Sequence, residues 1–147
     1  MKRKTLRRLP AFVPVPRRAR ADGWTPWRQA AFLGLLAETG SVRTAAERIG
    51  MARETAYRLR QCAGAESFAA AWDAIAARLR GEPDLPKRKV THFELVERAW
   101  HGTLRPVLYR QRFKSVAQEV DLKSFWRFIA QVLSTRRDAD DRSSGAG

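Results

Sequence analysis

The stretch Arg53 to Gln61, RETAYRLRQ, gathers side chains whose types suit contacts with the edges of nucleic-acid bases. An arginine can fork onto guanine and a glutamine onto adenine in the major groove, and a glutamate can accept from the amine of cytosine. Spacings of three and four keep Arg53 and Tyr57, and Arg58 and Gln61, on one side of a helix, with Glu54 beside them. Arg43, Thr44 and Arg60 are better suited to phosphates. The alternative for any one of these residues is a solvated surface position.

Other chemistry is hard to assemble. His92 and His101 are the only histidines, and Cys62, the single cysteine, lies far from both in sequence. Asp138, Asp140 and Asp141 are interleaved with arginines in a polar tail. There is no CxxC, HExxH, GxGxxG or phosphate-loop pattern. No catalytic residue, cofactor site or metal site is expected, and the chain does not read as an enzyme.

A base-reading face needs a scaffold, and residues 41–61 supply one. Ser41 is a good helix N-cap, preceded by Gly40, which suits the end of an earlier helix. Ala45, Ala46 and Ile49 run at helical spacing up to Gly50, which permits a left-handed turn. A second helix then turns Ala56 and Leu59 inward. The small residues Ala45, Ala46 and Ala56 let the two helices cross closely, the layout of a helix-turn-helix. An ordinary helical hairpin in a bundle is the plainer reading.

Composition agrees with an anionic partner. Lys and Arg number 29 against 15 Asp and Glu, a net charge of +14 in 147 residues. That balance favours nucleic acid first and an anionic membrane surface second. No apolar run approaches membrane-spanning length, and a lone cysteine fits a reducing compartment. The expected location is cytoplasmic and nucleoid-associated.

Taken in order, residues 1–23 hold eight basic residues and one acid. They read as a flexible basic arm in which Lys2, Arg3, Lys4, Arg7, Arg8, Arg17, Arg18 and Arg20 track phosphates. A solvated basic tail is the alternative. Residues 24–80 read as the helix-turn-helix domain with a fourth helix. Thr25 and Pro26 start its first helix, which carries Trp27, Phe32, Leu35 and Leu36 inward. Phe68, Trp72, Ile75 and Leu79 form the seam of the fourth. Residues 81–89 read as a linker and 90–135 as a C-terminal helical element. Thr91 and Glu94 make a capping-box pattern there, Pro106–Tyr109 and Phe113–Val116 suggest a short β-hairpin, and Asp121 caps a last helix. Trp100, Phe125, Trp126 and Ile129 are expected to pack on one another and on the Phe68/Trp72/Ile75 helix, or on the same surface of a second subunit. Residues 136–147 read as a disordered tail. The fold class is mainly α, with an N-terminal three-helix unit, further helices and a hairpin near 106–116.

The segment TPWRQAAFLGLLAETGSVRTAAERIGMARETAYRLR, followed by GAESFAAAWDAI, resembles bacterial and phage helix-turn-helix proteins of the terminase small-subunit-like type. The resemblance extends more weakly through VERAWHGTLRPVLYR and the final helix, and so covers roughly residues 24–135. It implies a DNA-binding module whose recognition helix is about Arg53 to Gln61. This chain departs from the family pattern at Ala52, where a serine N-cap is usual, and in lacking the glycines of the family's hairpin.

The expectation is therefore a helix-turn-helix protein that binds double-stranded DNA, as a transcriptional regulator or a regulator-like protein of phage descent. One alternative is a phage terminase small subunit that recognises viral DNA for packaging. Another is a structural, interaction or ribonucleoprotein component with a basic surface. A homo-oligomer, or a protein partner held through the C-terminal helices, is compatible with each.

Overall fold

The structure, a computed structural model, describes residues 8–18 and 20–145. Six helices and one two-stranded antiparallel sheet follow one another as α1 (Pro26–Thr39), α2 (Val42–Arg48), α3 (Arg53–Arg60), α4 (Glu66–Leu79), α5 (His92–His101), β1 (Thr103–Tyr109), β2 (Arg112–Glu119) and α6 (Leu122–Ser144). The fold is mainly α with a short hairpin, as expected. Among the described residues no helix is long and apolar enough to cross a membrane.

The core is aromatic. Phe32 of α1 lies 4.9 Å from Trp72 and 6.2 Å from Phe68 of α4, between ring centroids. Around them close Leu33, Leu36, Ala45, Ala46, Ala56, Leu59 and Ile75. Leu79, assigned to the same seam by its spacing, is instead 40% exposed at the end of α4.

The largest departure from the sequence reading lies at the amino terminus. Residues 8–18 are an extended strap threaded through the molecule, not a flexible arm, and Leu9, Phe12, Val13 and Val15 are buried in the core. Phe12 packs edge-on to Phe68 at 5.9 Å and pairs with Leu104 through two backbone hydrogen bonds. The prolines that argue against a helix at 10, 14 and 16 equally fix an extended path. They also remove donors that burial would leave unmet. The N–H groups of the buried Val13 and Val15 have partners: Val13 N–H donates to Ser67 Oγ at 2.8 Å, and Val15 N–H to Gln29 Oε1 at 2.7 Å. Gln29 Nε2 in turn donates to the carbonyls of Val15 and Trp24. Lys2, Arg3, Lys4 and Arg7 lie outside the described residues.

The hairpin is longer than the sequence suggests and packs on α1. Gly34 makes this possible, because a β-carbon there would collide with the ring of Phe113 and crowd Pro106. Trp27 meets the other edge of Phe113 at 6.3 Å, although it is 57% exposed and not the core residue expected. The two-residue turn holds Arg110 and Gln111 at φ 48° and 67°. Two positive φ angles make a hairpin turn that matches strand twist, a conformation in which side chains are strained without glycine or asparagine.

The C-terminal helices differ from expectation in two ways. They pair with each other, Trp100 against Phe128 at 6.0 Å, and α6 is not docked on α4. Trp100 and Trp126 are 62% and 65% exposed, and the docking of this half runs through the hairpin on α1, with Phe93 of α5 beside Gly64. In addition, α6 runs on to Ser144, where the composition from Arg136 onward suggests a disordered tail. Opposite charges four residues apart (Arg136 and Asp140, Arg137 and Asp141, Asp138 and Arg142) favour helix over coil by a few tenths of a kcal/mol each, roughly. The capping box is half made. Thr91 Oγ accepts from the Glu94 N–H at 3.2 Å, while the buried Glu94 carboxylate turns to Arg88 at 2.6 Å and ties down the end of the linker.

Two carboxylates join the hairpin to α6. Glu119 is held below the usual carboxylate range chiefly by hydrogen bonds from Arg105, with Arg8 adding to the effect. At Asp121 burial pushes the carboxyl up, but the Ser124 N–H and hydroxyl and then Arg98 outweigh it, and the net shift is down. Groups with a lowered folded-state pKa contribute stability that is complete above their unfolded values and lost as pH falls through the folded ones. Acid unfolding of Glu119→Gln, Asp121→Asn should therefore show a shallower dependence on pH below the ordinary carboxylate range than the unsubstituted chain. Replacing Gln29 by leucine, of similar volume, leaves three buried backbone groups without a partner at about 1–3 kcal/mol each. The Gln29→Leu midpoint in urea should fall accordingly, with loss of protection of the Val15 amide in hydrogen exchange.

Candidate nucleic-acid interface

The α2–α3 pair is built as the residue pattern requires. Gly40 ends α1 in the left-handed region at φ 70°. Ser41 Oγ then accepts from the Thr44 N–H at 3.2 Å to cap α2. Gly50, at φ 74°, makes the turn possible, and Met51 N–H closes it on the Ala46 carbonyl at 2.9 Å. Ala52 gives α3 no side-chain cap. Inside the helix the Thr55 hydroxyl donates to the Ala52 carbonyl at 2.6 Å and accepts from Trp24 Nε1 at 3.2 Å.

Burial of Ala56 and Leu59 fixes the roll of α3. At roughly 100° per residue, Arg53, Tyr57, Gln61, Glu54 and Arg58 then fan over an arc of about 140° on the opposite side. All five are exposed. Tyr57 rests its ring on Trp72 at 5.3 Å, which limits its rotamers while leaving 44% of it in solvent. Arg58 has no acidic partner among the described residues. Arg53 stands 3.8 Å from its neighbour Glu54, a loose contact between exposed groups.

Arg60 does not join this face. It falls on the margin next to Ala56, where its guanidinium lies 4.9 Å from the Trp72 ring and 2.9 Å from Asp73. Its expected part as a phosphate contact gives way to a structural one, clipping α3 to α4. Arg43 is exposed on α2 but carries Glu47 at 3.1 Å. Thr44 is half-buried. No family model, curated protein or solved structure matches the chain.

The strap changes where the basic residues stand. Arg8 is engaged with Glu119, and its carbonyl accepts from Arg78 at 2.9 Å, so it belongs to the hairpin side. Arg17 reaches Cys62 Sγ at 3.6 Å, directly after α3, and Pro16 abuts Gly64. Arg17 and Arg18 thus form a fixed, exposed rim at the C-terminal end of α3, next to a cleft of about 480 Å³ bounded by the strap, the start of α1 and the end of α5. Arg20 is exposed in the turn before α1. A further basic cluster stands at the hairpin tip, where the sequence reading placed no site. Arg110 and Lys114 both lie over the Tyr109 ring, at 5.3 and 5.1 Å, with Arg112 exposed beside them. Its signal in the sequence is the density of arginine and lysine between the two apolar runs.

The uncapped start of α3 gives a direct test of this geometry. Ala52→Ser should add a hydrogen bond to a first-turn N–H and raise stability by about 1 kcal/mol, read as a shift in the chemical-denaturation midpoint with an unchanged slope.

Proposed function

We propose that the chain binds double-stranded DNA through α3, as a sequence-preferring protein of the regulator type. The observation that supports this reading is the division among the arginines of the α2–α3 unit. Arg43, Arg48 and Arg60 are paired with Glu47, Glu38 and Asp73. Arg58, between Tyr57 and Gln61 on the outward arc of α3, has no such partner among the described residues and keeps its planar fork for an external acceptor. A helix laid in the major groove would offer Arg58 and Gln61 to base edges. Arg17 and Arg18, held at the helix end by the strap, would then meet backbone phosphates. Resemblance to terminase small subunits gives the same surface a second use, recognition of DNA for packaging.

The roles separate by measurement. Selection of bound sequences from random DNA at a stated salt concentration gives the preferred site. Arg58→Ala should cost about 1–3 kcal/mol on that site and relax preference at one base pair. Uniform weakening on every sequence would count against base reading by α3. Arg60→Ala should lower thermal stability and leave the sequence preference intact. Arg17→Ala with Arg18→Ala should leave it intact as well, and flatten the dependence of log affinity on log salt by about 0.9 for each phosphate the two arginines neutralise.

A further inference from the structure

The apolar surface of α6 is wider than α5 can cover. Phe128 faces Trp100 of α5, and Ser124, one turn earlier on that side, is buried. Leu122, Trp126, Ile129 and Leu133 share a separate stripe, within an arc of about 60° at roughly 100° per residue. Leu122, Trp126 and Leu133 are 64%, 65% and 54% exposed. Ile129, at the edge of the stripe toward α5, is half-buried. Together the four leave on the order of 400 Å² of apolar surface in water, within the range of roughly 300–600 Å² for the largest patch of a typical monomer, one often functional.

The spacing of this stripe indicates what covers it. The steps from Leu122 to Trp126, Ile129 and Leu133 are four, three and four residues, an order that reads identically in both directions. A two-fold axis between Trp126 and Ile129 sets Leu122 against Leu133 of a second copy and Trp126 against Ile129. Each side chain then finds a partner on an antiparallel helix. Self-complementarity of this kind is what an isologous contact requires. Lys123 and Arg127 lie about 60–100° outside the stripe and keep their charges in water. Two copies then bury on the order of 800 Å² in all, the size of a weak, concentration-dependent association.

We propose that this stripe is the contact by which two copies of the chain pair, antiparallel and about a two-fold axis, in a dimer that forms at micromolar concentrations. Because this pairing needs no DNA, its test is independent of the function proposed above. Sedimentation equilibrium of the full chain from 1 to 200 µM should show the mass rising from one copy to two, with Trp126 emission shifting to the blue. Trp126→Glu should remain a single copy throughout, with its thermal midpoint at 1 µM unchanged. Leu133→Glu gives the same reading should loss of the indole disturb α6 itself. Orientation follows from cross-linking in a Cys62→Ser background: a chain with Leu122→Cys mixed with one carrying Leu133→Cys should link far more than either alone. A chain that stays a single copy at 200 µM overturns the proposal. So does a dimer that survives both glutamate substitutions, an assembly larger than two, or cross-linking within each cysteine variant alone.

Discussion

The side-chain amide of Gln29 is the interaction on which the arrangement rests. Fully buried in α1, it accepts from the Val15 N–H and donates to the Val15 and Trp24 carbonyls. In effect it presents a rung of β-ladder from the side of a helix, so an extended segment can lie against α1 without a sheet to receive it. Removing it would strand polar backbone in an aromatic core, where an unmet group costs far more than a hydrogen bond contributes. The position of the strap, of Arg17 beside Cys62, and of Trp24 over Thr55 all follow from that one amide.

How much of this could be read from the sequence depended on whether the signal was local. The helices announce themselves through caps or periodicity: Thr25, Ser41, Thr91 and Asp121 cap α1, α2, α5 and α6 as their spacing implies. The turn at Gly50 and the outward face of α3 follow from the same local rules. Long-range pairing carries no such signature. The run Leu9 to Pro16 combines apolar residues with proline and is flanked by arginines, a composition shared by disordered arms and by buried extended segments. What distinguishes them is a receiving surface, here Gln29, Ser67 and Leu104, scattered from position 29 to position 104. Arg60 shows the same limit on a smaller scale. Its charge and helix position mark it as a phosphate contact, and only the packing of α4 against α3 shows that Trp72 and Asp73 hold it.

Charge in this protein is therefore divided by partnership more than by amount. Arg43, Arg48 and Arg60 are matched to carboxylates of α2, α1 and α4, whereas Arg58 meets no carboxylate among the described residues. Exposed ion pairs contribute little to stability, about 0–1 kcal/mol. Their more definite effect is to fix the long side chains that bear them, and so to single out a cation that is not matched. At the hairpin, Arg105 and Arg8 on Glu119 serve the same purpose for the strand end that leads into α6.

The strap also imposes an order of events on the nascent chain. Its first described residues are tied by contacts that span 96 residues, from Leu9 to Arg105, and 111 residues, from Arg8 to Glu119. During synthesis the strap leaves the ribosome before α1, yet Leu104, Arg105 and Glu119 emerge only when the hairpin does. Helices α1 to α4 can assemble earlier, because their contacts are local. Closing a loop of about a hundred residues costs roughly 4 kcal/mol of chain entropy, as (3/2)RT ln n. Until that closure the strap can already meet Ser67 and Gln29 through Val13 and Val15, while Phe12, Leu9 and Arg8 lack their partners on the hairpin. The strap is thus secured in two stages, its later residues on α1 and α4 and its earlier ones only once the hairpin has formed.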